Sequence, residues 1–178
     1  MHFKKGTNKF MEYKIDVDEK VIEFIQDELS LNAEQIQKFR DNINKIIELA
    51  VSYEKLNVDT VYVSISAASK EEIQNLNKEY RKIDRVTDVL SFPVFTVEEI
   101  GNIKDANNRL RQVELGDIIM CLDVVKQHSE EYETGLNREM LYMITHGICH
   151  LLGYDHIEES DKLKMRALED KILQQIGV

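Results

Sequence analysis

Three of the five histidines in this chain, His146, His150 and His156, fall within one eleven-residue stretch, HGICHLLGYDH. His146 and His150 are four residues apart, so on a helix they lie one turn apart and project from the same face. Gly153 supplies a helix stop, after which the chain can turn back and bring His156 toward the same point. Three imidazoles converging in this way make a transition-metal site with an open fourth position, the arrangement that catalytic zinc uses. Residues 140–152 are apolar nearly all round, with Thr145, His146 and His150 as the polar exceptions, which marks a central, buried helix. Desolvating two imidazoles is unfavourable unless each has a partner, and metal ligation supplies one while keeping both rings neutral. The alternative for such residues is a pair of core histidines bonded to carboxylates or backbone carbonyls. Three histidines at this spacing favour the metal.

The neighbours of the triad refine its chemistry. The spacing matches the long metzincin signature of zinc peptidases, His-x3-His-x2-Gly-x2-His. In zinc peptidases the residue after the first His is the Glu that serves as general base. Here that residue is Gly147, which accepts no proton. A glycine inside a helix costs about 1 kcal/mol relative to alanine, so its smallness calls for a reason, either close packing or room above a metal. Cys149 points about 100° away from His150 on an ideal helix and reads as a small apolar filler. Asp155 has two readings, a carboxylate bonded to a ligand imidazole or a cap for the turn before the last helix. The acids Glu158, Glu159 and Asp161 suit the start of that helix through its dipole alone.

The elements that must position these residues follow from periodicity. Residues 13–17 alternate as a short strand, and helical spacing runs over 19–28 and again from after Asn32 to about Tyr53. Residues 60–66 (TVYVSIS) form a β-branched, strictly alternating strand. Ser69 and Glu72 form a capping-box signature for a helix to about Tyr80. Residues 86–95 read as a strand whose Pro93 confines it to an edge or a bulge. The polar run 96–112 reads as an irregular loop, long enough to carry function or to move. Residues 113–121 form another strand, and helices follow over about 122–132, 138–152 and 161–176. The expected architecture is an α+β fold, metalloprotease-like, with a small mixed sheet of about four strands packed with five to six helices.

Length and composition bound the rest. With 178 residues, 43% of them hydrophobic and 31% charged, the chain is expected to form a single domain over residues 1–178, with 1–10 as a loose tail. No run approaches the roughly 18 apolar residues of a membrane span, and the first residues lack the apolar stretch of a signal peptide. Two cysteines, Cys121 and Cys149, are too few for a disulfide framework, so a reducing cytoplasm is the expected compartment. The net charge of −10 weighs mildly against a nucleic-acid partner. Lys78, Arg81, Lys82 and Arg85 nevertheless outnumber Glu79 and Asp84 between residues 78 and 85, so either a local positive strip or a solvated helix end lies there.

Taken together, three blocks resemble the YbeY family of metal-dependent endoribonucleases, which act in ribosomal RNA maturation. HGICHLLGYDH is similar to that family's metal motif, HGxLHLxGYDH, with Cys149 in place of the more common Leu. LNKEYRKIDRVTDVLSFP (residues 76–93) resembles its N-x-x-[FY]-R element followed by T-[DN]-V-L-S-F-P, and Leu115-Gly116-Asp117-Ile118 resembles its LGDI strand. The blocks occur in the family's order across most of residues 59–157, whereas the amino-terminal portion is far less diagnostic.

The resemblance implies a single-strand-specific endoribonuclease for ribosomal RNA processing, including small-subunit 3′-end maturation, and for ribosome quality control. It implies His146, His150 and His156 as ligands of one zinc ion, with nickel or another divalent transition metal as alternatives, and Arg81 as the charged residue of the active site. It implies ribosomal RNA and the ribosome or its assembly factors as partners, with no membrane and no DNA. The physics agrees: phosphodiester hydrolysis builds negative charge on non-bridging oxygens, which a guanidinium binds in a bidentate manner while staying protonated. A bound metal lowers the pKa of water near it. A surface ion pair with Glu79 or Asp84 is the plainer role for Arg81. The TDVLSFP strand offers an edge along which single-stranded RNA can lie; Phe92 and Phe95 are expected in the core rather than as stacking surfaces, and Asp88 and Ser91 outside the site. Two other functions compete: a metallopeptidase-like hydrolase, favoured by spacing and disfavoured by Gly147, and a non-catalytic ribosome-associated module with a structural metal.

Overall fold

Four strands share one mixed sheet in the computed structural model, which describes residues 11–105, 110–156 and 158–178. They are β1 (Glu12–Val17), β2 (Val58–Ala67), β3 (Val89–Pro93) and β4 (Leu110–Met120), in the order β1-β2-β4-β3. β1, β2 and β4 run parallel, and β3 lies antiparallel to β4 on the free edge. The alternation read in residues 60–66 becomes a sheet with one packed face. Val61, Val63 and Ile65 are buried, while Thr60, Tyr62 and Ser64 are only partly covered. Pro93 closes the edge strand, the position its missing N–H allows.

Seven helices complete the fold among the described residues: α1 (Glu19–Leu29), α2 (Ala33–Glu54), α3 (Lys70–Arg81), α4 (Val97–Asp105), α5 (Leu122–Glu131), α6 (Leu136–Leu151) and α7 (Glu159–Ile176). Reciprocal capping boxes start α2 (Asn32 with Gln35) and α3 (Ser69 with Glu72). One hydrophobic cluster joins α1, α2, α6 and α7 to the inner face of the sheet. α3 covers a smaller cluster, Ile73, Leu90 and Cys121, on the other side of β3.

One expectation fails. The run 96–112 is not an irregular loop, because α4 occupies Val97–Asp105 and β4 begins at Leu110. Thr96 and Glu99 form a capping box: the Glu99 N–H donates to Thr96 Oγ1 at 3.3 Å, and the Thr96 N–H donates to Glu99 Oε2 at 2.8 Å. Ile100 and Ile103 bury the inner side of this short helix. The Thr-x-x-Glu signal was present but sat in a polar run with just two strongly apolar anchors after it. Residues 1–10, expected as a loose tail, and 106–109 lie outside the described residues.

β3 approaches β4 unusually closely at Gly116, which pairs with Pro93 and has φ +136°. A Cβ there would sit 2.1 Å from the Phe92 carbonyl oxygen, so no side chain fits without moving the edge strand. Gly116→Ala is expected to destabilise the protein by at least about 2 kcal/mol in a urea titration. Gly101→Ala is the contrast. It lies within α4 with no atom within 4 Å of the added methyl, and is expected to be neutral or to stabilise by up to about 1 kcal/mol.

Candidate metal centre

α6 passes through the core, and between Met143 and Leu152 only His146 and His150 escape full burial. Both look out from the end of the helix beside β3. The helix stops where expected: Gly153 takes φ +89°, its N–H donates to the His150 carbonyl at 3.0 Å, and the Tyr154 N–H donates to the Cys149 carbonyl at 3.0 Å. The reversed chain carries His156 back, so its ring centroid lies 5.5 Å from that of His146 and 5.1 Å from that of His150. One ligand atom from each of the three rings lies within 4.8 Å of the others.

The hydrogen-bond partners settle which nitrogens face inward. His146 Nδ1 lies 2.8 Å from Glu169 Oε1, and His150 Nδ1 lies 3.0 Å from the Tyr154 carbonyl oxygen. A carboxylate and a carbonyl only accept, so each Nδ1 carries the hydrogen. In the neutral rings both Nε2 atoms are then bare lone pairs, and they stand 3.1 Å apart. Two acceptors face to face repel unless something positive lies between them. The donor set therefore fits a divalent transition metal held by His146, His150 and His156.

Electrostatics keeps His150 ready to ligate. Burial, helped by the neighbouring His146, lowers its pKa to about 4, so the ring is neutral over the physiological range. Tyr154 is itself braced: its hydroxyl donates to Glu54, the last residue of α2, which also takes the Lys104 ammonium. Burial and the Glu54 carboxylate push the Tyr154 hydroxyl well above the usual phenol range. The carbonyl that orients His150 thus hangs from a residue tied to the amino-terminal half of the chain.

The neighbours of the triad now have definite roles. A Cβ on Gly147 would lie 2.8 Å from Ile118 Cδ1, so its smallness serves close packing of α6 on β4. Cys149 is buried, with its thiol pushed up by that burial, and is the apolar filler expected. Asp155 caps the turn, its Oδ1 accepting from the His156 N–H at 2.7 Å; the carboxylate on a ligand ring is Glu169. Sequence reasoning missed Glu169. The available signal was an acid on the apolar stripe of α7, among Met165, Leu168, Ile172 and Leu173.

Arg81 is the last residue of α3 and lines the same open groove, of ≈ 700 Å³, as the three histidines. α3 and α6 lie on opposite sides of the sheet, so the groove straddles the free edge of β3. Asp84 is occupied by Lys78 at 2.6 Å and by Gln74 at 2.9 Å, and among the described residues Arg81 makes no ion pair. Asn77 ties down the segment after Arg81: its side-chain amide donates to the Arg85 carbonyl at 2.7 Å. Asp88 and Ser91, expected outside the site, line the groove as well. Phe92 packs on the α3 side, its ring 5.1 Å from that of Tyr80, and Phe95 packs against the main core at the groove wall.

An α+β fold with a histidine triad at a sheet edge defines a candidate metalloenzyme. Residues 22–177 match the family model described as endoribonuclease YbeY. A curated endoribonuclease YbeY from Clostridium botulinum (strain Alaska E43) is 37% identical over 150 residues, covering 79% of this chain and 90% of the relative. One from Caldanaerobacter subterraneus is 42% identical over 122 residues, covering 68% and 77%. The solution structure of TM1509 from Thermotoga maritima shares the fold, with a TM-score of 0.53 and 24% identity, over 92% of this chain and 88% of that one. The chain belongs to the endoribonuclease YbeY family.

The depressed pKa of His150 has a consequence for stability. The folded ring takes its proton near pH 4, whereas an unfolded histidine takes it near its ordinary 6.5. Between these values the unfolded chain binds more protons, so acid favours unfolding. Metal-free protein is expected to lose stability progressively from about pH 6.5 toward about pH 4, and His150→Gln to flatten that part of the profile, measured by urea titration across the range.

Proposed function

We propose that this chain is a metal-dependent endoribonuclease that cuts single-stranded RNA, with ribosomal RNA precursors as its substrate and the ribosome or its assembly factors as its setting. The observation that carries this reading is the meeting of two inward-facing Nε2 atoms, 3.1 Å apart, with an Arg81 guanidinium that makes no ion pair among the described residues, on one groove. His146, His150 and His156 would hold one zinc ion; all-imidazole donors suit it, and also nickel. Such an ion supplies Lewis acidity and makes water a competent nucleophile near neutral pH.

The remaining work falls to the chain. Arg81 donates hydrogen bonds from its planar guanidinium to the non-bridging oxygens as their charge grows. It comes from the opposite side of the sheet, so a phosphate is gripped between the two faces of β3. The β3 edge, with Leu90, Ser91 and Pro93 at the groove, runs beside that grip and suits an extended, unpaired strand. Gly147 is buried against Ile118, so a peptidase-type base is missing, and that disfavours peptide hydrolysis. The groove wall carries two carboxylates, of which Asp155 is placed to accept a proton. Asp155 keeps Oδ2 free of its bond to the His156 N–H, whereas Asp88 takes the Val89 N–H on Oδ1 and faces His128 Nδ1 with Oδ2 at 3.4 Å. No helix among the described residues is long and apolar enough to cross a membrane, and we place the activity in the cytoplasm, where ribosomal RNA is processed.

The test is cleavage of a single-stranded RNA oligonucleotide by purified protein, with the matching duplex as control. Arg81→Ala and His150→Ala are each expected to slow cleavage on the order of 10²-fold or more, with an unchanged circular dichroism spectrum. A chelator is expected to stop cleavage while α6 and α7 stay folded. Unfolding on chelation would favour a structural metal instead. Undiminished cutting by both variants would remove the groove from the reaction.

A further inference from the structure

α7 presents a stripe of Met165, Leu168, Ile172 and Leu173 to α6 and α2, and Glu169 sits within that stripe at 3% exposure. Burying a carboxylate is costly unless it is well paired. Among the described residues its one hydrogen-bond partner is His146 Nδ1, at 2.8 Å. Surface acids of α7, such as Glu159 and Asp161, meet lysines of their own helix instead. The position of Glu169 therefore makes sense through what it does to the ring of His146.

We infer that Glu169 is the positioning residue of the metal centre, setting both the tautomer of His146 and its strength as a donor. By accepting the Nδ1 hydrogen, it keeps the lone pair on Nε2 and stops the ring from rotating away from the cleft. Its negative charge draws the Nδ1 hydrogen and enriches the ring, so Nε2 donates more strongly than an imidazole bonded to a neutral group. His150 has such a neutral partner, the Tyr154 carbonyl, and His156 has its backbone N–H held by Asp155. His146 is thus a stronger donor than His150. Glu169 touches no substrate, and its effect reaches the groove only through His146.

This inference rests on the three-histidine metal reading but not on RNA cleavage, and its test reads binding alone. Zinc is titrated into the purified full chain against a chromogenic chelator. Glu169→Gln keeps the size and a neutral acceptor while removing the charge, and is expected to weaken zinc binding about 10-fold to 100-fold. Glu169→Leu removes the acceptor too and is expected to weaken it further. Glu139→Gln serves as the control. Glu139 is a similarly buried acid on α6, but it accepts from the Thr134 hydroxyl at 2.8 Å and meets no ligand, so zinc affinity should be unchanged. Folding is followed in each variant by circular dichroism.

Equal zinc affinity in wild type and Glu169→Gln, with both folded, would overturn the assignment. So would an equal loss in Glu139→Gln, which would mark a general effect of removing a buried acid. Should the Glu169 variants not fold, nitrogen-15 NMR of the zinc-loaded wild type decides. A hydrogen on Nδ1 of His146 with Nε2 unprotonated is expected, and the reverse tautomer would exclude the role. A wild type that binds no zinc removes the metal reading along with this one. A normal affinity pattern without RNA cleavage leaves this inference standing and removes only the nuclease function.

Discussion

The site depends on one conflict between lone pairs. Each of the two α6 histidines spends its Nδ1 hydrogen on an acceptor behind it, one a carboxylate and one a carbonyl. That leaves two Nε2 atoms facing each other at 3.1 Å with nothing to share. In water such rings would rotate apart. Here they are held by a helix buried almost everywhere else, and by partners from two other parts of the chain. The core thus does the work of bringing two electron-rich atoms close, and a cation is the group that makes the arrangement favourable.

The sheet edge decides what else the histidines meet. β3 is short, antiparallel to its neighbour and open on one side, so elements from both faces of the sheet reach over it. α6 contributes the histidines from the main core, and α3 contributes Arg81 from the smaller one. Gly116 lets β3 approach β4 closely enough to set the spacing of that reach, and Gly147 lets α6 settle on Ile118. Two glycines far apart in sequence therefore tune one groove. Residues of the TDVLSFP block become its floor rather than a separate motif.

Two carboxylates, one buried and one partly covered, give the centre its support. Glu169 arrives from α7 and Glu54 from the end of α2, and each is tied to a different histidine, the second through Tyr154. The chain before residue 59 carries little that resembles the family motifs, yet it supplies the anchor for the carbonyl that orients His150. A centre braced in this way couples the long helices to the chemistry.

Much of this was legible in the sequence. The i, i+4 histidines, the glycine stop, the alternating strand and the serine cap are local patterns, and local geometry turns them directly into structure. Those residues pointed to the histidine triad and gave four strands in an α+β arrangement, while Arg81 stood out only through the family resemblance. The short helix at Val97–Asp105 escaped because a capping box with two buried isoleucines is a weak signal inside a polar run. What tertiary structure alone decided was pairing across distance: Glu169 with His146, Glu54 with Tyr154, Arg81 facing the histidines rather than Asp84, and Ile118 against Gly147. Periodicity says which face of an element is buried, but not which partner that face meets. The residue types of the site were thus fixed locally, while their orientation came from packing between segments that no spacing connects.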